Sequence, residues 1–316
     1  MKNKIKTIFI GTPDFGIPCL RSLIEDELFD VVCVITQPDK KTGRKQILTP
    51  PPIKVEAQKY KIPIMQPQKI SDISRDCHGA LPLATTDLIV VVAYSQLIPE
   101  KILNMPKYGC INVHGSLLPK YRGASVIAAP ILNGDKYTGA TIMKMDKGLD
   151  TGPILAQNKI EIKPNDTAGT VYEKLSKSSA PLLIDTLEKY ISGKIKPKPQ
   201  DNSKSNYCKI ITKKDGKIDW EKPADFLERF VRAMSPWPSA HTKWNEKKIK
   251  IIETEHETIK INSYKTGEIF LHDEKLAAQC GKDALIIKKL QLEGKKEMKA
   301  EEFLRGYKNF IGSILE

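Results

Sequence analysis

Asn112 and His114 stand two residues apart at the end of an apolar run, and Asp150 follows within the turn-rich stretch Asp146-Lys147-Gly148-Leu149-Asp150-Thr151-Gly152. An amide, an imidazole and a carboxylate are together suited to moving an acyl group. A tetrahedral intermediate of acyl transfer carries an oxyanion, which a fixed amide N–H stabilises. A neutral imidazole accepts or relays the proton that an amine nucleophile must lose. A carboxylate beside the ring stabilises its protonated form or holds its tautomer. Residues two apart in a strand share a face, so Asn112 and His114 reach one small volume. Gly115 and Pro119 then end the strand and leave the pair at a rim. Other roles stay open on these residues alone. A histidine beside an apolar strand also serves as a hydrogen-bonded structural residue. Asp150 could bond backbone amides of its own turn, and Asp146 is a rival carboxylate in the same loop. Ser116 is the nearby hydroxyl, but no strand-turn-helix elbow of a serine hydrolase surrounds it. Hydrogen bonding within the turn is its expected role.

The elements that must position these residues alternate. Ile5 to Ile10, Val31 to Ile35, Ile62 to Ile64, Leu88 to Ala93, Gly109 to His114 and Gly139 to Met145 read as strands, several of them continuous β-branched runs. Helical patterns lie between them, beginning about Ile17 with Leu20, Leu23, Ile24 and Leu28 on one face. That alternation predicts an α/β fold with a doubly wound, mainly parallel, Rossmann-like sheet. The first turn, Gly11-Thr12-Pro13-Asp14-Phe15-Gly16, has Pro13 where a dinucleotide fingerprint needs its second glycine, which argues against a nicotinamide cofactor. Residues 37–52 form a long basic loop, of a length that compact α/β units keep for function or leave disordered. Residues 167–192 read as helical, with Pro181 expected to kink or split the helix. The polar, proline-containing stretch 193–207 reads as a linker. Beyond it a helix over Ala224–Ala233 and short apolar runs such as Ile249–Ile252 and Ala284–Ile287 suit a small β-rich domain, a barrel being the simplest form.

A chain of 316 residues is long for one core, and two domains are the natural division. Domain boundaries are expected at 1–192, 193–207 for the basic linker, and 208–316. No apolar run approaches the ~20 residues of a membrane helix, and Met1-Lys2-Asn3-Lys4-Ile5-Lys6 leads into a strand too short for a signal-peptide core. The protein is expected in the cytoplasm, away from membranes, and as a monomer. The six cysteines contain no Cys-x-x-Cys pair and the five histidines are dispersed, which predicts reduced thiols and no metal.

The net charge of +13 is unevenly placed. Lys40, Lys41, Arg44, Lys45, Lys54, Lys59 and Lys61 face only Asp39 and Glu56 within 39–61, and eight lysines face two aspartates within 193–217. Lysine-rich loops serve solubility, but two such stretches also suit a polyanion, most simply nucleic acid. Trp220, Trp237 and Trp244 could stack on bases, although tryptophans in a small domain are usually core, and that is the reading adopted for all three.

Longer motifs then become specific. Asn112-x-His114-x-Ser116-Leu117-Leu118-Pro119, Tyr121-Arg122-Gly123, Gly139-Ala140-Thr141-Ile142 and Gly148-Leu149-Asp150-Thr151-Gly152-Pro153-Ile154-Leu155 together resemble the 10-formyltetrahydrofolate-dependent formyltransferase family. So do Gly11-Thr12-Pro13-Asp14-Phe15, Thr36-Gln37-Pro38-Asp39, Lys214-Asp215-Gly216-Lys217-Ile218-Asp219-Trp220 and Pro236-Trp237-Pro238, and the likeness runs through essentially the whole chain. The resemblance implies that a formyl group passes from N10 of the folate co-substrate to the α-amine of methionyl initiator tRNA. It implies Asn112, His114 and Asp150 as the catalytic trio. Ser116, Leu117, Leu118 and Pro119 would form the folate-side turn, and Gln96 and Ile98 belong to a segment similar to the one lining the pterin pocket. Arg44, with Lys41 and Lys45 beside it, lies in the loop that reaches the tRNA acceptor end in similar enzymes. The C-terminal domain is similar to a small oligonucleotide-binding (OB-like) β-barrel.

The chain departs from the family pattern at Val126, where a proline is usual, and at 71–86, where Gly79 and Pro82 disfavour a helix and His78 is read as a surface residue. The rival activities are another folate-dependent formyltransferase or hydrolase acting on a small amine or water, which would keep the trio without needing the basic segments. A non-catalytic RNA-binding protein would use the charge and leave the trio without a purpose.

Overall fold

Continuous apolar runs become the centre of a seven-stranded sheet in the computed structural model, which describes residues 4–43, 45–74 and 85–316. Two compact units divide the chain. The first comprises Met1–Gly123, Thr138–Ile160 and Tyr172–Tyr207, and the second Ala124–Tyr137, Glu161–Val171 and Cys208–Glu316.

In the first unit, β1 (Ile5–Gly11) and β2 (Phe29–Ile35) pair in parallel. Then come β3 (Lys40–Thr42), β4 (Ile47–Thr49), β5 (Ile64–Met65), β6 (Leu88–Val92), β7 (Cys110–His114), β8 (Arg122–Gly123), β9 (Tyr137–Lys144) and β10 (Ile154–Glu161). The large sheet runs β10-β9-β7-β6-β1-β2-β5. Pairing is parallel from β7 through β6, β1 and β2 to β5, and antiparallel between β7 and β9. Every residue of β6 and β7 is buried, as expected of strands covered on both faces. The chain builds outward from β1 through β2 to β5, then returns to β6 on the other side of β1. That reversal is a topological switch point, and ligands of open α/β sheets bind at the carboxyl ends of the strands there.

Two expectations change form. The basic loop over 37–52 contains a hairpin, with Lys40 opposite Thr49, Lys41 opposite Leu48 and Thr42 opposite Ile47. Gly43 at φ 70° helps turn it, and its strands are exposed on every residue, so no burial pattern announced them. Pro181 does not split its helix, which runs unbroken over Ala168–Ile191. A proline forfeits one backbone hydrogen bond, but Leu175, Leu183 and Leu187 are fully buried, and their packing outweighs that loss. Of the atypical stretch 71–86, Ile70–Ser74 holds a short 3-10 turn; Cys77, His78, Gly79 and Pro82 lie outside the described residues.

The second unit follows β11 (Tyr207–Cys208) with β12 (His241–Trp244), β13 (Lys247–Thr254), β14 (Ile269–His272), β15 (Lys275–Gln279), β16 (Ala284–Leu292) and β17 (Met298–Lys299). These last six form an antiparallel sheet in the order β12-β13-β16-β15-β14, with β17 on β16. The helix Ala224–Ala233 falls where its pattern put it and buries Leu227 and Val231. Val126 is buried, and a helix over Ala128–Leu132 begins two residues later. Trp244 packs edge-on against Phe310 at 4.9 Å in an aromatic cluster, and Trp220 is buried with its indole N–H on Thr242. Trp237 overturns the core expectation: it is 55 % exposed.

Candidate active site

Asn112 lies in mid-sheet, opposite Val91 of β6 and Met143 of β9, and His114 ends the strand opposite Thr141. Both are buried. The Asn112 amide makes no side-chain hydrogen bond among the described residues. Its N–H groups are therefore uncommitted, as a donor to a developing oxyanion must be.

One nitrogen of the His114 ring is hydrogen-bonded and the other faces a carboxylate. Nε2 lies 2.9 Å from the Tyr121 carbonyl, which can only accept, so this nitrogen carries the hydrogen. The neutral ring then presents its lone pair at Nδ1, and the Asp150 Oδ1 atom stands 3.7 Å away. That separation is too long for a hydrogen bond but short enough for a proton taken at Nδ1 to be stabilised by the carboxylate. The other Asp150 oxygen accepts from the Gly123 N–H at 2.8 Å. Asp146, the rival, does a different task. Its Oδ1 accepts from Gly148 N–H at 3.0 Å and the Thr151 hydroxyl at 2.6 Å, which builds the turn.

The backbone here is unusual. Tyr121 and Asp150 have φ of 60° and 54°, in the left-handed region that non-glycine residues rarely adopt. Such residues cost on the order of 1–3 kcal/mol each and persist only where surrounding contacts hold them. Gly152 makes close approach possible, since a Cβ there would fall 1.9 Å from the Lys144 carbonyl oxygen.

The turn after His114 is tied down by polar bonds. Ser116 Oγ donates to Lys120 O at 2.8 Å, the turn role expected for it. Thr141 Oγ1 donates to Ser116 O at 2.6 Å and accepts from Leu118 N–H at 3.1 Å, while Gln157 Nε2 donates to Leu118 O at 2.8 Å. Leu117 and Pro119 are half-buried and Leu118 is buried. Gln96 and Ile98 are placed differently. The Gln96 amide is committed to backbone, accepting from Ile70 N–H at 2.9 Å and donating to Gln68 O at 3.2 Å. Ile98 is buried in the core with Ile10, Ile35 and Ile102. Just past the carboxyl ends of β1, β2 and β6, the buried hydroxyls of Thr12, Thr36 and Tyr94 have no hydrogen-bond partner among the described residues. Burial pushes the Tyr94 phenol up to about 12. Orphaned buried hydroxyls at a switch point suit a polar ligand.

Lys41 and Lys45 are exposed on and beside the hairpin, with Ile47 and Leu48 exposed next to them; Arg44 lies outside the described residues. Below the hairpin, Lys54 Nζ bonds both Asp39 oxygens at 2.8 Å. Gln66 and Lys54 hold the Asp39 carboxyl below the usual range.

Sequence reasoning named Tyr121 and Gly123 only as part of a motif, without their backbone roles, and missed Gln200 and Asn206, which carry no periodic signal and lie in the stretch read as linker. Gln200 Nε2 donates to Asp150 O at 2.9 Å and Gly152 O at 2.7 Å, and Asn206 Oδ1 accepts from Tyr121 N–H. Among the described residues, no three His, Cys, Asp or Glu side chains are grouped to hold a metal.

Comparison with known proteins gives a consistent result. A sequence model of the family described as formyl transferase matches residues 3–187, and one described as formyl transferase, C-terminal domain, matches 210–308. The methionyl-tRNA formyltransferase of Caldicellulosiruptor saccharolyticus is 45 % identical over 310 residues, covering 98 % of this chain and 99 % of that protein. The methionyl-tRNA formyltransferase of Bacillus velezensis is 42 % identical over 311 residues, covering 98 % and 97 %. A solved N-formyltransferase from Helicobacter canadensis, in complex with folinic acid and dTDP-3-aminofucose, shares the fold with a TM-score of 0.67 at 20 % identity, over 90 % of this chain and 98 % of that one.

Proposed function

The chain belongs to the formyl transferase family, and we propose from that premise that it transfers the formyl group of 10-formyltetrahydrofolate to the α-amine of methionyl initiator tRNA. The observation that carries the reading is full-length similarity above 40 % to methionyl-tRNA formyltransferases, in a chain whose Asn112 and His114 lie two apart on β7 and whose Asp150 stands 3.7 Å from His114. The folate is a co-substrate.

The roles assigned to the trio follow from its chemistry. As the amine attacks the formyl carbon, negative charge gathers on the formyl oxygen, and the Asn112 N–H donates to it. The amine proton goes to His114 Nδ1, directly or through one water. Asp150 stabilises the imidazolium that results. The imidazolium returns its proton to N10 of the folate as the tetrahedral intermediate collapses and the bond between the formyl carbon and N10 breaks, releasing tetrahydrofolate and the N-formylated amine. Ser116, Leu117, Leu118 and Pro119 shape the folate-side turn, and Gln96 and Ile98 fix the backbone of the pterin-side segment from within. Lys41, Lys45 and Arg44 grip the acceptor end of the tRNA, where their charge meets phosphate and Arg44 can pair with it bidentately or stack on a base.

Functionally, 1–192 is read as the catalytic region, 193–207 as a basic connection and 208–316 as the tRNA-binding domain. The antiparallel sheet of the last is read as an OB-like barrel; register shifts between Ile251 and Thr254, which bend a strand, support that reading. The enzyme is taken to act as a monomer in the cytoplasm, where its substrates are used. No described helix is long and apolar enough to cross a membrane.

A substrate comparison tests the assignment. With 10-formyltetrahydrofolate as donor, methionyl-tRNA should be formylated and amino-sugar nucleotides or purine-precursor ribonucleotides should not. Formylation of a small amine with methionyl-tRNA untouched would overturn the tRNA assignment while keeping the chemistry.

A further inference from the structure

We propose that Gln200 is a positioning residue, which locks Asp150 in the conformation that presents its carboxylate to His114; the inference rests on reading that pair as the proton-handling centre. Tyr121 and Asp150, which face the two nitrogens of His114, are both left-handed, and neither is a glycine that would adopt such a conformation unaided. Both are held by one short polar segment. Asn206 accepts from Tyr121 N–H through its side chain and from Arg122 N–H through its carbonyl at 2.9 Å. Gln200 holds the other, with one NH2 group bonded to the carbonyls of Asp150 and Gly152.

The orientation of the Gln200 amide is itself dictated. Its Oε1 accepts from Arg122 Nε at 3.2 Å and Nη2 at 2.7 Å. Arg122 is 2 % exposed, donates also to Asn202 Oδ1 at 2.7 Å, and lies over the Tyr207 ring. A guanidinium only donates and a carbonyl only accepts, so a flipped Gln200 amide would lose both ends at once. The chain of contacts then closes on itself. Arg122 orients Gln200, Gln200 holds the Asp150 carbonyl, and the Gly123 N–H beside Arg122 donates to the Asp150 carboxylate.

Gln200→Glu separates positioning from mere packing. The carboxylate keeps the acceptor toward Arg122 and adds opposite charge, so a residue needed only to satisfy Arg122 would tolerate the change. It also sets an oxygen without hydrogen against two carbonyl oxygens, which would push the Asp150 turn out of place. A displacement near 1 Å costs catalysis on the order of 10²-fold. The test measures formyl transfer to methionyl-tRNA, the KM for both substrates and the melting temperature, for wild type and Q200E. The expected result is a kcat lower by ~10–10²-fold with each KM within about threefold and no loss of melting temperature. If Q200E does not fold, Gln200→Met, which removes donor and acceptor together, is judged by the same split between kcat and KM. An active wild type with unchanged kcat in the variant overturns the inference alone. A wild type that transfers no formyl group overturns the functional reading, and this inference with it.

Discussion

His114 is buried with Nε2 bonded to a backbone carbonyl and Nδ1 facing the Asp150 carboxylate, whereas Lys41 and Lys45 stand in solvent on and beside a hairpin exposed along both strands. Both regions belong to the first unit, but they are held in different ways. The trio is fixed by backbone: a carbonyl sets the histidine tautomer, an N–H takes one carboxylate oxygen, and side chains from the 200–206 segment hold the two left-handed residues. The hairpin is held by its own ladder, a Thr42–Thr49 hydroxyl contact of 2.6 Å, and the Lys54–Asp39 pair beneath it. Charge in water acts at a distance and tolerates movement. Proton transfer does not, because donor and acceptor must meet within ~3 Å. The contrast is between a buried site fixed by several backbone contacts and an exposed hairpin free to move its charges.

Removing the proton acceptor should break this contrast hardest. His114→Ala is expected to lower kcat by ~10²–10⁴-fold, read as formyl transfer at saturating substrates. Asn112→Ala removes the proposed oxyanion donor and should cost ~10²–10³-fold with tRNA affinity intact. A loss in affinity with kcat preserved would move Asn112 out of the chemistry. Gly152→Ala forces a methyl against the Lys144 carbonyl, and the displaced Asp150 turn should lower kcat by up to ~10²-fold. Its crystal structure should show the carboxylate withdrawn from Gly123.

Effects on the hairpin should be smaller and of another kind. Each of Lys41→Ala and Lys45→Ala is expected to weaken tRNA binding severalfold and to reduce the slope of log affinity against log salt by about one. A salt slope that stays constant would remove that lysine from the phosphate contacts. The smallest effect concerns the helix Pro52–Lys59 that follows the hairpin. Glu56 is buried, and its carboxyl is held at about 2 by the Arg21 hydrogen bond and by Lys59. A depressed carboxyl stabilises the fold fully above its unfolded value of ~4.3 and loses that contribution as pH falls through the folded value. Glu56→Gln should therefore lower the melting temperature at pH 7, with the difference shrinking from pH ~4 downward and vanishing only below the folded value of about 2. A difference independent of pH would mean that packing, not charge, is lost.

How far the sequence disclosed these regions follows from what each relies on. The central strands were legible because β6 is five apolar residues in a row, buried on both faces, and β7 carries a polar pair at its end. Asn112 and His114 were singled out by spacing and Asp150 by motif, and the structure brings Asp150 to 3.7 Å from His114. The hairpin was not, because strands of three exposed residues leave no alternation to read. Pro181 misled, since the packing of Leu175, Leu183 and Leu187 carries a helix through a residue that local rules would use to break it. Trp237 misled too, because its residue type points inward while the structure leaves it exposed. Gln200 and Asn206 were invisible for a different reason. Single amides bonded to distant backbone are long-range facts, and a polar composition looks the same whether it is solvated or locked in place.

The central claim is that the buried trio performs the chemistry and the exposed lysines perform the capture, and one crossed experiment tests it directly. Single-turnover formyl transfer is measured across methionyl-tRNA concentrations for wild type, His114→Ala and the Lys41→Ala/Lys45→Ala double variant. The account predicts that His114→Ala loses its limiting rate at unchanged half-saturation, while the double variant needs more tRNA but reaches the wild-type rate. A His114→Ala enzyme at full rate, or a lysine variant whose limiting rate collapses at unchanged half-saturation, would contradict it.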